Sequence, residues 1–546
     1  MQNKNTFSLR GQIVDIINET IFPGTVNISN GKIQSIVKED VSETNYILPG
    51  LIDAHIHIES SMLTPSAFAR LAVVHGTVAT VSDPHEIANV LGINGVDFMI
   101  ENGRTVPFKF YFGAPSCVPA TGFESAGAVL GVKEMEQLMS RPEIHYMAEM
   151  MNYPGVIFKD EEVLAKLEVA KKYGKPVDGH APGLKGEEAR AYIEAGITTD
   201  HECFTMEEAL DKIKYGMKIQ IREGSAAKNF DALVGLLHTH PDKVLFCSDD
   251  KHPDDLIKGH INLMAKKAIS LGYNPLTVLR SCILNPVNHY KLDVGLLQKG
   301  DSADLIVVDN MKDFTVLSTY INGEKVAENG QTLIEYQQTD TPNHFNVDQI
   351  GVEDLQIKGS GSKIRIIEAI EGQLITNTIL DYPLLENGFM VSDLKRDYLK
   401  MVVLNRYKKD KPSIAFIKNI GLTNGAIAST VAHDSHNIIA VGSDDALMVK
   451  AINTLIESKG GVVAVTNDQL ELLPLPVAGL MSAEDGQIVA KCYEKADALA
   501  KQAGTKLHAP FMTLSFMALL VIPQLKLSDK GLFDGSTFSL TSLEVA

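Results

Sequence analysis

Cysteine and positive charge are both scarce in this chain. The five cysteines are scattered, odd in number and without a Cys-x-x-Cys pair, so they predict neither a disulfide framework nor a zinc knuckle. They are Cys117, Cys203, Cys247, Cys282 and Cys492. With 50 Lys and Arg against 68 Asp and Glu, the formal net charge is −18, which disfavours binding to nucleic acid or to an anionic membrane. A reducing compartment and a small neutral or cationic substrate are therefore expected.

Long apolar runs are also missing. The opening segment, MQNKNTFSLRGQIVD, has no stretch of the kind that a signal peptide requires, so we expect a cytoplasmic protein. The most apolar late segment, residues 511–525, is 15 residues long and contains Pro523, which makes it too short to cross a bilayer. We interpret it as a buried core helix. At 546 residues, with 45% hydrophobic and 22% charged residues, the chain predicts two or three globular domains.

The middle of the chain, residues 50–296, alternates short apolar strand candidates with helical patterns. Eight strand-and-helix units in about 250 residues predict an α/β fold, a (β/α)8 barrel with parallel strands. The strand candidates are LPGLIDAHIH, GTVATVSD, FKFYFGA, IHYMAEM, KPVDGH, ITTDHE, KIQIREGS and KVLFCSDD.

The barrel is flanked by segments of a different pattern. Residues 1–49 and 297–340 carry short alternating apolar runs separated by turn signals such as Pro-Gly and Asn-Gly. We expect these two segments to assemble into one small β-sandwich. Residues 350–546 are long enough for an additional C-terminal α/β domain, and the polar segment 339–349 is the best linker candidate.

Polar side chains follow the predicted barrel strands at their C-terminal ends, where such barrels place their chemistry. His55 and His57 follow the first strand with a spacing that turns both imidazoles to the same face. Four imidazoles and two carboxylates suit a pair of divalent metal ions, which can hold a hydroxide between them as a nucleophile. The predicted ligands are His55, His57, Glu149, His180, His201 and Asp249. Asp249 is also the predicted proton acceptor.

Individual ligands also have a purely structural interpretation. Glu149 could be an exposed carboxylate at a strand end, and His180 could end a strand before a Pro-Gly turn. Their occurrence together, in strand order, favours the metal site. Two zinc motifs are excluded. The His-x-Glu at residues 57–59 lacks the later Pro-Cys-x-x-Cys of cytidine-deaminase-type enzymes, and the His-Glu at residues 85–86 lacks the second histidine of His-Glu-x-x-His.

The ordered ligand set resembles the amidohydrolase superfamily, whose members carry one or two metal ions at the mouth of such a barrel. Several segments resemble, more narrowly, its bacterial adenine deaminase branch: PGLIDAHIHIESSMLTP, TVATVSDPHEIANVLG, PVDGHAPG, TTDHECF, FCSDDKHP and GLTNGAIASTVAHDSHNIIAVG. The superfamily resemblance covers about residues 1–340, and the narrower one continues through the C-terminal part. Many superfamily members use a carboxylated lysine where this chain has Glu149, a departure that is consistent with the narrower family.

The resemblance implies hydrolytic deamination of adenine to hypoxanthine and ammonia, in purine salvage or adenine catabolism. It also implies a binuclear divalent metal centre, with manganese first and iron or zinc as alternatives. The implied ligands are His55, His57 and Asp249 for one ion, His180 and His201 for the other, and Glu149 as the bridge. A small-molecule substrate and a homodimer are the expected partners, with no nucleic acid and no membrane.

Three questions stay open at this point. For the group that protonates N1 of the purine, His85 and Glu86 are preferred over Glu59 and Glu202, although they could equally cap the following helix. The segment HDSH at residues 433–436 could form another metal site or reach toward the substrate, and a solvated turn is at least as good an interpretation. Hydrolysis of another amino-heterocycle or a cyclic amide, and a non-catalytic scaffold, are the alternative functions.

Overall fold

The computed structural model describes residues 6–545, so the first five residues of the opening segment lie outside the described part. The chain begins with the strands β1 (Phe7–Asp15), β2 (Thr20–Ser29), β3 (Lys32–Lys38) and β4 (Tyr46–Pro49). Strands β1 to β3 are antiparallel, and β4 runs parallel to β1 with Ile47 opposite Ile13. Asn30 and Gly31 join β2 to β3 with φ angles of 53° and 77°, as a two-residue hairpin turn of type I′ requires.

The barrel follows, and all eight predicted strands are present in it. They are β5 (Leu51–Ile56), β6 (Thr77–Ser82), β7 (Lys109–Ala114), β8 (Ile144–Met150), β9 (Val177–Gly179), β10 (Thr199–Asp200), β11 (Lys218–Arg222) and β12 (Val244–Cys247). Strands β5 to β9 form one parallel arc and β10 to β12 another. Bridges from Val177 to Ile197 and from Ile56 to Asp249 join the arcs at both seams. The predicted barrel is confirmed.

Helices cover the outside of the barrel, and their ends follow local sequence signals. In α6, for example, the Asp160 carboxylate accepts hydrogen bonds from the backbone N–H groups of Glu162 and Val163. The same helix ends at Gly174, whose φ of 62° is the left-handed conformation that glycine adopts without strain.

The helices of this region are α1 (Pro65–Ala72), α2 (His85–Leu91), α3 (Ile93–Gly103), α4 (Val132–Met139), α5 (Tyr153–Ile157), α6 (Glu161–Tyr173), α7 (Gly186–Glu194), α8 (Met206–Lys214), α9 (Phe230–Leu233), α10 (Leu236–Thr239), α11 (Pro253–Leu256), α12 (Ile261–Ser270), α13 (Pro275–Cys282) and α14 (Leu284–Tyr290). Short 3₁₀ helices occupy Ile58–Ser61, Val73–His75 and Pro241–Lys243.

After the barrel the chain returns to the first sheet. It adds β13 (Leu305–Val308), β14 (Val316–Ile321), β15 (Glu324–Glu328) and β16 (Gln331–Thr332). The eight strands form one sheet in the order β16-β15-β14-β13-β4-β1-β2-β3, with β13 antiparallel to β4. The sheet curls over a core that includes Val26 and Leu305, and Lys32 of β3 bridges Ser302 just before β13.

The C-terminal part is rich in β-structure. Its elements are β17 (Ile364–Ala369), β18 (Thr376–Asp381), β19 (Leu384–Glu386), β20 (Phe389–Val391), β21 (Leu399–Leu404), β22 (Ser413–Lys418), β23 (Ala426–Ser429), β24 (Ile438–Gly442), α15 (Asp445–Ser458), β25 (Gly461–Val465), β26 (Leu470–Pro474), α16 (Gly486–Gln502), α17 (Pro510–Ser515), β27 (Leu525–Ser528), β28 (Gly531–Asp534) and β29 (Ser539–Leu540), with 3₁₀ turns at Val352–Leu355 and Phe516–Ala518. Eight of the strands form one sheet in the order β18-β17-β22-β21-β24-β23-β25-β26.

Residues 511–522 of the apolar segment are buried, but the prediction of one continuous helix is wrong. Helix α17 ends at Ser515, a 3₁₀ turn continues to Ala518, and the segment ends at the first residue of β27. Pro523 lies just before β27, where its missing N–H group and fixed φ rule out a helix interior. Among residues 6–545, no helix combines the length and the apolar character needed to span a membrane.

The C-terminal part packs on the rim of the barrel through hydrogen bonds between distant segments. Ser125, in the loop after β7, donates its N–H to Asp529 Oδ1 at 2.8 Å and accepts from Asn437 Nδ2 at 2.9 Å. Ser482 N donates to Met62 O, just after β5, at 2.8 Å. The loops that follow barrel strands therefore face the C-terminal part, which closes the end of the barrel where the predicted ligands lie.

Candidate active site

The structure brings the six predicted ligands together at the C-terminal rim of the barrel. All six are buried, with at most 5% of each residue exposed. His55 lies in β5 and His57 just after it, Glu149 lies in β8, and His180, His201 and Asp249 follow β9, β10 and β12. In parallel strands these positions share one edge of the sheet, which is why residues up to 194 positions apart can meet there.

Glu149 lies at the centre of the cluster and faces imidazoles on both sides. Its Oε1 is 3.4 Å from His57 Nε2. Its Oε2 is 2.8 Å from His180 Nδ1 and 3.2 Å from His201 Nε2. Burial would raise the pKa of the Glu149 carboxyl, but His180 and His201 hold that pKa well below its usual range. One ionised carboxylate thus offers each oxygen to a different group of imidazoles, as a bridging ligand does.

Asp249 completes the other side of the cluster. Its Oδ1 lies 3.3 Å from His57 Nε2 and 3.6 Å from His55 Nε2. The Nε2 atoms of these two histidines are themselves only 3.2 Å apart. Two imidazole nitrogens and a carboxylate oxygen that converge in a buried space are the donor set that a divalent cation accepts. The residues present therefore fit a divalent metal.

The imidazoles have different protonation preferences. Burial, together with neighbouring His201 and His57, lowers the pKa of His55 well below its usual value. Burial also opposes protonation of His201, but Asp249 and Glu149 outweigh it and raise the pKa of His201 to about 9. A cation bound among these side chains would replace the proton that the carboxylates otherwise attract.

A buried polar group supports His55 from behind. Asp178 Oδ2 lies 4.0 Å from His55 Nδ1, the ring nitrogen that points away from the cluster. Tyr290 donates its hydroxyl to the Asp178 carboxylate, 2.8 Å from either oxygen, and Thr199 Oγ1 donates to it at 2.8 Å. The distance of 4.0 Å exceeds that of a hydrogen bond, and His55 Nδ1 has no hydrogen-bond partner among the described residues, so Asp178 acts on this ring through its charge.

Arg222, at the end of β11, is a site residue that sequence analysis missed. Its Nη1 contacts Glu202 Oε1 and lies 2.5 Å from Asp249 Oδ2, while Nη2 lies 2.9 Å from Glu202 Oε2. The guanidinium is 1% exposed and lies above the ring of Phe204, 5.8 Å from its centroid. Burial would raise the pKa of Asp249, but Arg222 and His201 lower it well below its usual value. The sequence does contain one indication that Arg222 belongs to the site, because this charged residue ends the seventh predicted barrel strand, KIQIR.

His85 and Glu86, the preferred candidates for N1, lie beside the ligand cluster at the start of α2. His85 Nδ1 is 3.0 Å from Asp83 Oδ2 and 3.6 Å from Glu149 Oε1. Its Nε2 is 3.4 Å from Glu86 Oε1. Burial disfavours a charged His85, but Asp83 and Glu86 raise its pKa well above the usual value. Neither side chain caps α2.

The segment 433–436 is not a solvated turn, so that interpretation is wrong. His433, Asp434 and His436 are 3%, 2% and 0% exposed. They lie between β23 and β24 and reach across to the barrel, where His433 Nδ1 is 2.5 Å from Glu86 Oε1 and His436 Nε2 contacts Glu86 Oε2. The interpretation failed because no local pattern shows that this loop is covered by the rim of another domain.

A small cavity of about 20 Å³ lies between the ligand cluster and the C-terminal part. The barrel side of its lining includes His57, Glu149 and Asp249, and the C-terminal part contributes Leu374, Phe516 and Leu519 together with the polar His433 and Asp434. The ring of Phe516 stacks on that of His433, with centroids 4.8 Å apart and an angle of 20° between planes. Apolar side chains of the C-terminal part thus face the polar barrel cluster across this cavity.

Barrel and metal-ligand cluster together define the amidohydrolase class. A model of the Amidohydrolase family matches residues 46–326, which contain all six predicted ligands. A second model, the Adenine deaminase C-terminal domain, matches residues 373–539, which contain the residues that the C-terminal part contributes to the cavity.

Relatives match along nearly the whole chain. The adenine deaminase of Methanosarcina barkeri is 53% identical over 543 residues, covering 98% of each chain. That of Sulfurovum sp. is 55% identical over 532 residues, covering 97% of this chain and 98% of the relative. That of Parabacteroides distasonis is 48% identical over 546 residues, covering 100% of both. The chain belongs to the adenine deaminase family.

Proposed function

We propose that this protein hydrolyses adenine to hypoxanthine and ammonia. The observation that carries the proposal is the convergence of six buried ligand side chains beside a cavity that is also lined by the part of the chain that matches the adenine deaminase C-terminal domain. The full-length relatives named adenine deaminase support the same substrate.

The metal centre is proposed to be binuclear, with manganese first and iron or zinc as alternatives. The residues that would hold it are His55, His57 and Asp249 for one ion, His180 and His201 for the other, and Glu149 for both. When bound, a divalent pair supplies an activated water at neutral pH and stabilises negative charge as that water attacks. Histidine and carboxylate ligands alone do not select among these three metals.

Asp249 is the proposed base. Its Oδ1 faces the imidazoles of the cluster, where the attacking water would lie, and its Oδ2 is fixed by Arg222 at 2.5 Å. The pKa of Asp249 lies well below its usual value despite burial, because Arg222 and His201 stabilise the carboxylate, so the group is ionised at neutral pH. Asp249 would take the proton of the water and pass it to the exocyclic amine as the C6–N bond breaks.

His85 and Glu86 are proposed to serve N1 of the purine. His85 lines the cavity and its raised pKa keeps the ring protonated, so that it can deliver a proton as C6 becomes tetrahedral. Glu86, 3.4 Å away, stabilises the charged form of His85. The cavity residues Leu374 and Phe516 would hold the ring plane and exclude water from the reacting carbon.

The test is adenine turnover by metal-loaded protein, followed by the absorbance change of adenine to hypoxanthine and by ammonia release. Turnover with a 1:1 ratio of hypoxanthine to ammonia is expected. Silence with adenine but hydrolysis of a hydantoin would favour the alternative of a cyclic-amide hydrolase, and silence with both would favour a scaffold. The homodimer and the cytoplasmic location stay predictions, which light scattering and cell fractionation test.

A further inference from the structure

A second cluster of potential ligands lies beside the first, at the contact between barrel and C-terminal part. It consists of Glu86 from α2 and of His433, Asp434 and His436 from the loop between β23 and β24. His433 Nδ1 is 2.5 Å from Glu86 Oε1, and His436 Nε2 contacts Glu86 Oε2. The carboxylates of Glu86 and Asp434 offer oxygens within 4.8 Å of each other. None of these residues belongs to the six barrel ligands.

The hydrogen bonds of this cluster are incomplete. Among residues 6–545, Asp434 Oδ2 and His436 Nδ1 are buried atoms without a hydrogen-bond partner, whereas each oxygen of Glu86 contacts an imidazole. Both residues are at most 2% exposed, so solvent does not satisfy these two atoms. Unpartnered carboxylate oxygens in such a place are costly, because burial removes their hydration without replacing it.

The charges of the cluster also favour a bound cation. Two carboxylates face each other with two imidazoles, and a third carboxylate, Asp250, lies 4.0 Å from His433 Nε2. His85 Nε2 also lies 3.4 Å from Glu86 Oε1 and 3.6 Å from Asp434 Oδ1, and a protonated His85 together with a protonated His433 leaves one of the three carboxylates unbalanced in a buried space. A divalent cation balances two carboxylates and accepts imidazole nitrogen and carboxylate oxygen as ligands.

We propose that Glu86, His433, Asp434 and His436 form a further divalent-cation site that joins the C-terminal part to the barrel. The inference does not depend on the substrate of the neighbouring centre. It excludes Glu86 as the acid that protonates N1, because a Glu86 carboxylate that binds a cation carries no proton to donate.

The loop that supplies three of the ligands is held in place by its neighbours. Tyr407 donates its hydroxyl to Ser435 O at 2.6 Å. Asn437, which follows the last ligand, accepts from Arg406 N at 3.2 Å and donates to Ser125 O of the barrel at 2.9 Å. The ligands are therefore preorganised, which lowers the entropic cost of binding a cation.

Metal analysis of the full-length protein tests the site, with Mn²⁺ as the only added metal. Protein is stripped with a chelator, reloaded with Mn²⁺, freed of unbound metal and analysed by mass spectrometry. We expect His436→Gln to bind one Mn²⁺ fewer per chain than the natural protein. The matched control is His508→Gln, at an exposed histidine of the same domain, which should bind as much as the natural protein. Equal Mn²⁺ content in all three proteins would overturn the proposal.

A second measurement needs no variant and separates this site from the barrel centre. Crystals of the natural protein loaded with Mn²⁺ should show an anomalous peak between Glu86 and His436, in addition to peaks at the barrel ligands. The peak beside His436 should persist in Glu149→Gln, which alters the barrel centre alone. Absence of a peak beside His436 while the barrel ions are visible would refute the inference and leave the proposed function standing.

Discussion

Replacing Arg222 with methionine tests whether the buried guanidinium holds Asp249 and Glu202 in place. The side chain is 1% exposed and pairs with both carboxylates, so its removal leaves two negative charges without their partner in a dry environment. Methionine has a similar length and no charge, and therefore keeps most of the packing against Phe204.

The size of the effect follows from the burial. Breaking a buried ion pair by removing one partner costs about 3–5 kcal/mol. A domain of the size of the barrel loses about 2–4 °C in melting temperature per kcal/mol, so we expect a fall of roughly 6–20 °C. Arg222 also lowers the pKa of Asp249 against the effect of burial. Without it that pKa rises, and the acid limb of kcat/KM should move to higher pH because Asp249 must be ionised to act as the base.

Calorimetry of the metal-loaded protein and a pH profile of adenine turnover measure the two effects. Arg190→Met is the matched control, because Arg190 forms an exposed ion pair with Glu194 and should change neither quantity. A melting temperature and an acid limb that stay at the natural values in Arg222→Met would refute the assigned role of the guanidinium.

Three further predictions concern the metal centre and the C-terminal part. Glu149→Gln should lose bound metal and adenine turnover while its circular dichroism stays unchanged, whereas full activity would remove the bridging role. Asp178→Asn should weaken metal binding in competition with a chelator, since the negative charge behind His55 is lost; unchanged affinity would contradict this. Burial lowers the pKa of Lys526 to about 7, whereas its pKa in the unfolded chain is 10.5. Between these two pH values folding releases a proton from Lys526, so the stability of the protein rises with pH across this range. The free energy of unfolding of the natural protein, measured with urea, should therefore rise relative to that of Lys526→Met from pH 7 to 9. The same pH dependence in both proteins would contradict the lowered pKa.

Local patterns were enough to predict the barrel and to bring its ligands together. A short apolar run that ends in polar residues, such as LPGLIDAHIH, predicts a strand whose polar side chains lie at its C-terminal end. Because parallel strands share one edge, the residues that follow them must meet. His55 and Asp249 are therefore neighbours for a reason that can be read without knowing any long-range contact.

Contacts between domains were not predictable in this way. Glu86 and His433 are 347 positions apart, and nothing in the pattern of the HDSH loop shows which surface covers it. The helix expected at residues 511–525 failed for a related reason. Its apolar composition indicates burial, but the backbone passes from α17 through a 3₁₀ turn to β27, and Phe516 of that turn lines the cavity.

The position of β4 has a consequence for synthesis of the chain on the ribosome. This strand pairs with β1 on one side and with β13 on the other, where Ile47 lies opposite Val307. At about 5–20 residues per second, the ribosome needs roughly 10–50 s to produce the intervening chain. Throughout that interval β4 is an open edge with buried-type side chains, a template for pairing with other nascent chains. Chaperone demand during translation should therefore fall once Val308 has left the exit tunnel.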